Sequence, residues 1–220
     1  MRHFFSLLML LSLATFSLRG QEKSATRIPD EDFYLMPSFA PGTVYLRGQS
    51  PAQGTVNICA VDQTLRFIDE SGTELAANDQ DAISRVQIDT VWFMRGGGAF
   101  YRMYPVNFEL GIALRRDTKI TRDVKKGAYG MTDQTSSITQ YRSLYTDSSS
   151  KLLNSEQPIY YRVSETVCLY YRDAIVKFNK GSLKKVFPNH KDEIDAYFKS
   201  GKPHPSTVEE ARAIIQPWIQ

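Results

Sequence analysis

The chain has 220 residues, with 27 Lys+Arg against 24 Asp+Glu, a formal charge of +3 and two cysteines. That length suffices for one domain with a real core, or two small ones packed together. The near-balance of charge gives no support to binding of nucleic acid or an anionic membrane surface, both of which need a clustered positive face.

Residues 1–20 read as a signal peptide. Arg2 and His3 form a positive n-region, Phe4 to Leu18 is an apolar run too short to span a membrane comfortably, and small Gly20 precedes Gln21. Its removal leaves a nearly neutral chain and an exported protein with no further membrane segment. The first cysteine after the apolar run is Cys59, so a lipid anchor on a signal-peptide cysteine is not expected.

Residues 21–42 read as a flexible leader, polar at first and then apolar at Phe33-Tyr34-Leu35-Met36 as an edge strand, with Pro37 and Pro41-Gly42 as breakers. From residue 43 to 178 the pattern predicts a β-meander. Val56, Ile58 and Ala60 alternate with polar or small neighbours, and strand-like runs follow at Thr64–Ile68, Glu74–Ala77, Ser84–Asp89, Val91–Met94 and Phe108–Ile120. Asp69-Glu70-Ser71-Gly72 is a turn by composition, and Gly96-Gly97-Gly98 is a hairpin link that matches no phosphate-binding pattern. Pro158 to Phe178 is the densest run of β-branched and aromatic residues, read as strands Ile159–Val163, Thr166–Arg172 and Ile175–Phe178.

Residues 126–157 form a polar insertion with Tyr129, Tyr141 and Tyr145 scattered through it. Such a segment is either a mobile connection or a recognition loop whose tyrosines are partner contacts. Residues 182–220 read as a helical tail. Ser182 is its N-cap, Pro188 splits its first part, and Ile194, Tyr197 and Phe198 form a buried stripe. Ser206-x-x-Glu209 is a capping box for a last helix, and Trp218 folds back on the core. The expected fold is thus a single, mainly β domain over residues 43–220. An antiparallel, barrel-like sheet carries two or three short C-terminal helices, in the α+β class.

Chemistry is sparse. After signal cleavage the histidines are His190 and His204; neither comes with a G-x-S-x-G, HExxH or CxxC pattern, and His190 with Glu193 makes a poor metal pair. No catalytic residue, metal ligand or cofactor is assigned. Glu74, Asp79, Glu109 and Glu165 lie at strand ends, where a glycosidase pair is a matter of three-dimensional separation. The outward members of Tyr160-Tyr161 and Tyr170-Tyr171 are candidates for an aromatic platform, against the simpler reading that tyrosine suits strands. Cys59 and Cys168, both in strand-like runs, are either a disulfide formed in an oxidising compartment or two buried thiols.

Leu169-Tyr170-Tyr171-Arg172-Asp173, the run Val176 to Pro188 with its Phe-Pro break, and the step Gly127-Ala128-Tyr129-Gly130 resemble small exported proteins of Bacteroidota. That resemblance implies a periplasmic or outer-membrane-peripheral location and supplies no catalytic residues. The resulting expectation is a non-enzymatic cell-envelope protein that binds another envelope protein. The alternatives are a carboxylate-dependent glycan- or peptidoglycan-active enzyme, and a small-molecule or lipid carrier.

Overall fold

The computed structural model describes residues 21–123, 159–201 and 204–219. Within them lie β1 (Glu22–Ala25), α1 (Asp30–Phe33), β2 (Ala40–Leu46), β3 (Ala52–Ile58), β4 (Leu65–Ile68) and β5 (Glu74–Ala76). Next come β6 (Ile83–Ile88), β7 (Val91–Gly96), β8 (Ala99–Pro105), β9 (Leu110–Asp123), β10 (Ile159–Tyr171) and β11 (Ala174–Lys177). The tail is α2 (Lys180–Val186), a 3-10 turn at Pro188–His190, α3 (Lys191–Lys199), α4 (Val208–Ile215) and a 3-10 turn at Gln216–Trp218. The strands form one antiparallel sheet in the order β1-β10-β9-β8-β7-β6-β2-β3-β4-β5, with β11 also paired to β10. This is the mainly β, α+β fold that the alternating sequence pattern predicts.

Turn chemistry explains two of the hairpins. Gly97 and Gly98, both at positive φ, make the two-residue β7–β8 turn that a right-twisted hairpin needs. The Asp69 carboxylate accepts from Ser71 and Thr73 backbone N–H groups and closes the β4–β5 turn. The strands expected separately at Ile159–Val163 and Thr166–Arg172 are one long β10, and the register shift at Tyr160/Tyr161 supplies its irregularity.

Residues 21–42 are not a flexible leader. β1 pairs with β10, and α1 tucks Phe33 beneath the sheet, where Ile28, Phe33 and Tyr34 pack with Cys59, Ile159 and Tyr161. The edge strand expected at Phe33–Met36 is the end of α1 followed by a single bridge, Tyr34 to Cys59. A few apolar side chains in a polar stretch are enough to bind it once they have a sheet face to bury against.

Two larger cores sit beside this one. The inward residues Val44, Val56, Ile58, Val86, Ile88, Phe93 and Phe100 fill the first. The helical tail covers the second, with Leu183, Ile194, Ala211, Ile215 and Trp218 on Ile112, Val167 and Leu169. Pro188 breaks the first helical stretch as expected, but both caps move by a few residues. Asn179 rather than Ser182 caps α2, accepting from the Ser182 N–H. Thr207 and Glu210 cap α4 in place of Ser206 and Glu209: the Thr207 hydroxyl accepts from Glu210 N, and the Glu210 carboxylate accepts from Ser206 N.

Buried polar side chains hold the pieces in register. Gln63, at φ 58 and 6% exposed, donates to the Arg116 and Ala60 carbonyls, accepts from Phe100 N, and has its own carbonyl bound by Arg95. With Thr118 N donating to Ala60 O at 3.0 Å, the β3–β4 corner is folded back onto the flank of β9. Asp32 is a second hub, reached by Lys23 at 2.7 Å, the Tyr161 hydroxyl at 3.0 Å and Arg116 at 3.1 Å. Among the described residues no helix is long and apolar enough to cross a membrane.

Candidate functional site

Strand alternation divides the side chains of β2, β6, β7 and β8 between two faces. Val44, Val86 and Phe93 go inward, so Tyr45, Arg85 and Met94 go outward, with Tyr45 opposite Arg85 and Arg85 opposite Met94 in the ladder. Trp92, opposite Gln87, shares this outward face. The Tyr45 and Trp92 rings stack with centroids 5.6 Å apart and planes 30° apart. The Arg85 guanidinium carbon lies 4.4 Å from the Tyr45 centroid and 5.4 Å from that of Trp92. An arginine over two rings gains quadrupole attraction and loses rotamer freedom.

Two turns wall the other side of this platform. In the β8–β9 turn the Asn107 carboxamide accepts from Glu109 N at 3.0 Å and Leu110 N at 2.8 Å, and Phe108 is left 99% exposed at the crest. The β10–β11 turn has two non-glycine residues at positive φ, Arg172 at 48° and Asp173 at 62°. Its tip is pinned to the first turn by Arg172 Nε to Glu109 Oε2 at 3.0 Å and Arg172 N to Glu109 O at 3.0 Å. Tyr170 donates its hydroxyl to Asp173 Oδ1 at 2.6 Å, and this bond, with some burial, raises the phenol pKa above its ordinary value. Tyr45, Arg85, Trp92, Met103, Phe108 and Asp173 thus border one open groove of about 640 Å³. Arg85 is the one cation and Asp173 the one carboxylate among its described lining residues.

A second cleft of about 560 Å³ lies against the edge of β10 and β11, with Arg115, Lys119, Glu165, Lys177 and His204 around it. Arg115 is taken up by Asp117 at 2.6 Å, and His204 Nδ1 sits 3.1 Å from the Phe178 carbonyl. Among the described residues no group of three or more His, Cys, Asp or Glu gathers to hold a metal ion. His190 meets Glu193 at 3.2 Å, and Glu193 also accepts from Trp218 Nε1 at 3.0 Å, which makes this pair part of the tail packing.

No family model, no curated protein and no solved structure matches this chain. Its site is therefore read from its own geometry.

That geometry redistributes the residues singled out in the sequence. Tyr129, Tyr141 and Tyr145 lie outside the described residues. Cys59 and Cys168 are two separate free thiols, and no bridge joins them. Cys59 belongs to the core under α1, whereas Cys168 sits in β10 between Ala113 and Lys177. Burial pushes both thiols above the ordinary cysteine range and keeps them protonated. Of the tyrosine doublets, Tyr161 is buried on Asp32 and Tyr171 packs on the tail core; Tyr170 alone reaches the groove. The strand-end carboxylates are scattered. Glu74 accepts from the Tyr34 hydroxyl inside the sheet, Asp79 accepts from Ala82 N, Glu109 holds Arg172, and Glu165 borders the second cleft.

The platform residues Tyr45, Arg85 and Trp92 come from three strands and have no motif between them. Their signal in the sequence is weak but readable: large aromatic side chains at positions whose alternation sends them outward, where a half-buried sheet usually carries polar ones.

Proposed function

We propose that this is a non-enzymatic, exported protein of the cell envelope that holds another envelope protein in the Tyr45–Arg85–Trp92 groove. The observation that carries this reading is Phe108, 99% exposed on a pinned turn beside a stacked Tyr–Trp–Arg platform. Trp, Tyr and Arg are the residues in which interface binding energy concentrates, and aromatic residues and Met are enriched in interface cores. Pre-organisation of the platform adds to the case, because the Tyr45–Trp92–Arg85 stack has part of its side-chain entropy already spent before contact. Export is read from residues 1–20 and a periplasmic or outer-membrane-peripheral place from the Bacteroidota-like tail.

The rival chemistry finds less support at this groove. Glycoside hydrolysis uses two carboxylates across the scissile bond, and the described lining offers Asp173 alone. A lipid carrier needs an enclosed apolar cavity, whereas this groove is open to solvent.

The test is cross-linking in intact cells with a C-terminally tagged chain, repeated with Phe108→Asp and Trp92→Ala. A stoichiometric envelope partner captured by the native chain, and lost from both variants while their melting transitions show that each is folded, is the expected result. A partner retained by both variants moves the contact elsewhere. Recovery of the chain alone, with no other protein and no cross-linked second copy, returns the weight to the carrier and enzyme readings.

A further inference from the structure

The groove carries both halves of two contacts, one apolar and one ionic. Phe108 is an apolar knob, 99% exposed, and the Tyr45–Trp92 ledge with Met94 and Met103 is an apolar seat for such a knob on the same face. Arg85 is exposed, sits over its two rings and pairs with no carboxylate among the described residues. Asp173 is an exposed carboxylate with one oxygen taken by Tyr170. Inside one chain these two opposite charges form no salt bridge with each other, although both border the same groove.

On the reading that this groove is a protein contact, we infer that it is self-complementary and closes on the same groove of a second copy of this chain. A two-fold interface brings residue i to residue j and residue j to residue i at once, so each copy must present both members of every pair on one patch. Two such pairs are available here. Phe108 of each copy seats on the Tyr45–Trp92 ledge of the other, and Arg85 of each copy meets Asp173 of the other. The Arg85 guanidinium is held over the two rings and has no carboxylate partner among the described residues, so its N–H donors are available to a carboxylate from another chain. A groove with one cation and one anion is neutral as a whole. It is thus matched to another neutral groove of the same pattern, and not to a strongly charged partner. The bonds from Arg172 to Glu109 tie the turn that carries Phe108 to the turn that carries Asp173, so the knob and the carboxylate are presented as one unit.

The experiment is sedimentation of the purified exported chain from about 1 to about 100 μM, the range over which a small, partly polar contact exchanges. The native chain is expected to pass from monomer to dimer across this range. Phe108→Asp, Arg85→Asp and Asp173→Arg should each remain monomeric at the top concentration, with melting temperatures that show each is folded. An equimolar mixture of R85D and D173R should form a heterodimer, because an all-acidic patch then meets an all-basic one in both halves of the interface. Phe108→Asp changes a side chain that touches nothing, so it keeps the test decisive if D173R disturbs its turn.

A native chain that stays monomeric at the highest concentration overturns the inference, as does a native dimer that Phe108→Asp leaves intact. The failures are separable. If the purified chain is monomeric but envelope capture still depends on Phe108 and Trp92, the groove reading stands and self-association falls. If neither dimer nor capture depends on them, both fall.

Discussion

Arg66 is 2% exposed, among the largest side chains wholly enclosed by the sheet. Asp62 meets its Nη2 at 2.6 Å, the Thr64 hydroxyl accepts from Nε at 2.9 Å, and Glu74 Oε1 lies 4.0 Å from Nη1. Removing one member of a buried ion pair leaves the others charged and dry, so Arg66→Ala should cost about 3–5 kcal/mol in urea unfolding. Arg66→Met combined with Asp62→Asn should cost clearly less. The Asp32–Tyr161 pair gives a prediction in pH. Burial alone raises the Asp32 pKa, but hydrogen bonds from Lys23 and Tyr161 and the charges of Lys23 and Arg116 outweigh it and hold it below the usual range. Its stabilisation is therefore present above the unfolded carboxylate value near about 4 and is lost as pH falls through the lower folded value. Tyr161 is pushed up to about 12 by burial and by its bond to Asp32. Its contribution is complete below the unfolded phenol value near about 10 and disappears as pH rises towards the folded one. Tyr161→Phe should lower stability at neutral pH by about 1.5–3 kcal/mol and flatten the alkaline limb of a urea-midpoint profile, whereas Asp32→Asn should flatten the acid limb.

Among the described glycines, Gly42 in β2 has the least room. A Cβ on Gly42 would lie 2.5 Å from Val56 Cγ2 and 2.7 Å from the Gln87 carbonyl oxygen, so β3 and β6 press on it from both sides. Gly42→Ala should cost about 1–3 kcal/mol, since a backbone oxygen cannot move without breaking its ladder. Gly54 is the internal control: its nearest neighbour would be Val56 Cγ1 at 3.8 Å, and Gly54→Ala should be neutral or stabilise by about 0.5–1 kcal/mol. Both glycines look alike in the sequence, each beside a strand-like run, because a close approach between strands is a property of the sheet and not of the segment. The same limit governs the larger reading. The meander, its turns and the Pro188 break were legible, because alternation and turn residues are local. α1 was not, since part of the cover of Ile28 and Phe33 comes from Ile159 and Tyr161, far along the chain. The groove was half legible: Tyr170 stood out in its doublet, while Tyr45, Arg85 and Trp92 became one feature only when β2, β6 and β7 took their register.

For the molecule as a whole, the helical tail is a lid on one core. Trp218 is 7% exposed, tilts on Phe187 at 5.6 Å and donates to Glu193 at 3.0 Å. Trp218→Ala should cost about 3–5 kcal/mol, read as a lower urea midpoint, and should leave the groove's affinity for its occupant unchanged once folded. Deleting everything after Asn179 uncovers Ile112, Val167 and Leu169 together and should yield insoluble chain.

The pairing of β1 with β10 has a consequence in time. Residues 22–25 have their ladder partners at 159–162, and Asp32 and Tyr161 are 129 positions apart. Loop closure over such a span comes before any reward from the contacts it makes, and chains dominated by distant pairings fold slowly. During synthesis the first strand to emerge is thus among the last to be hydrogen-bonded. Ile28 and Phe33 lack the part of their cover that Ile159 and Tyr161 supply until β10 exists, and the window in which an assisting factor can hold the nascent amino-terminal arm is set by the arrival of residue 163.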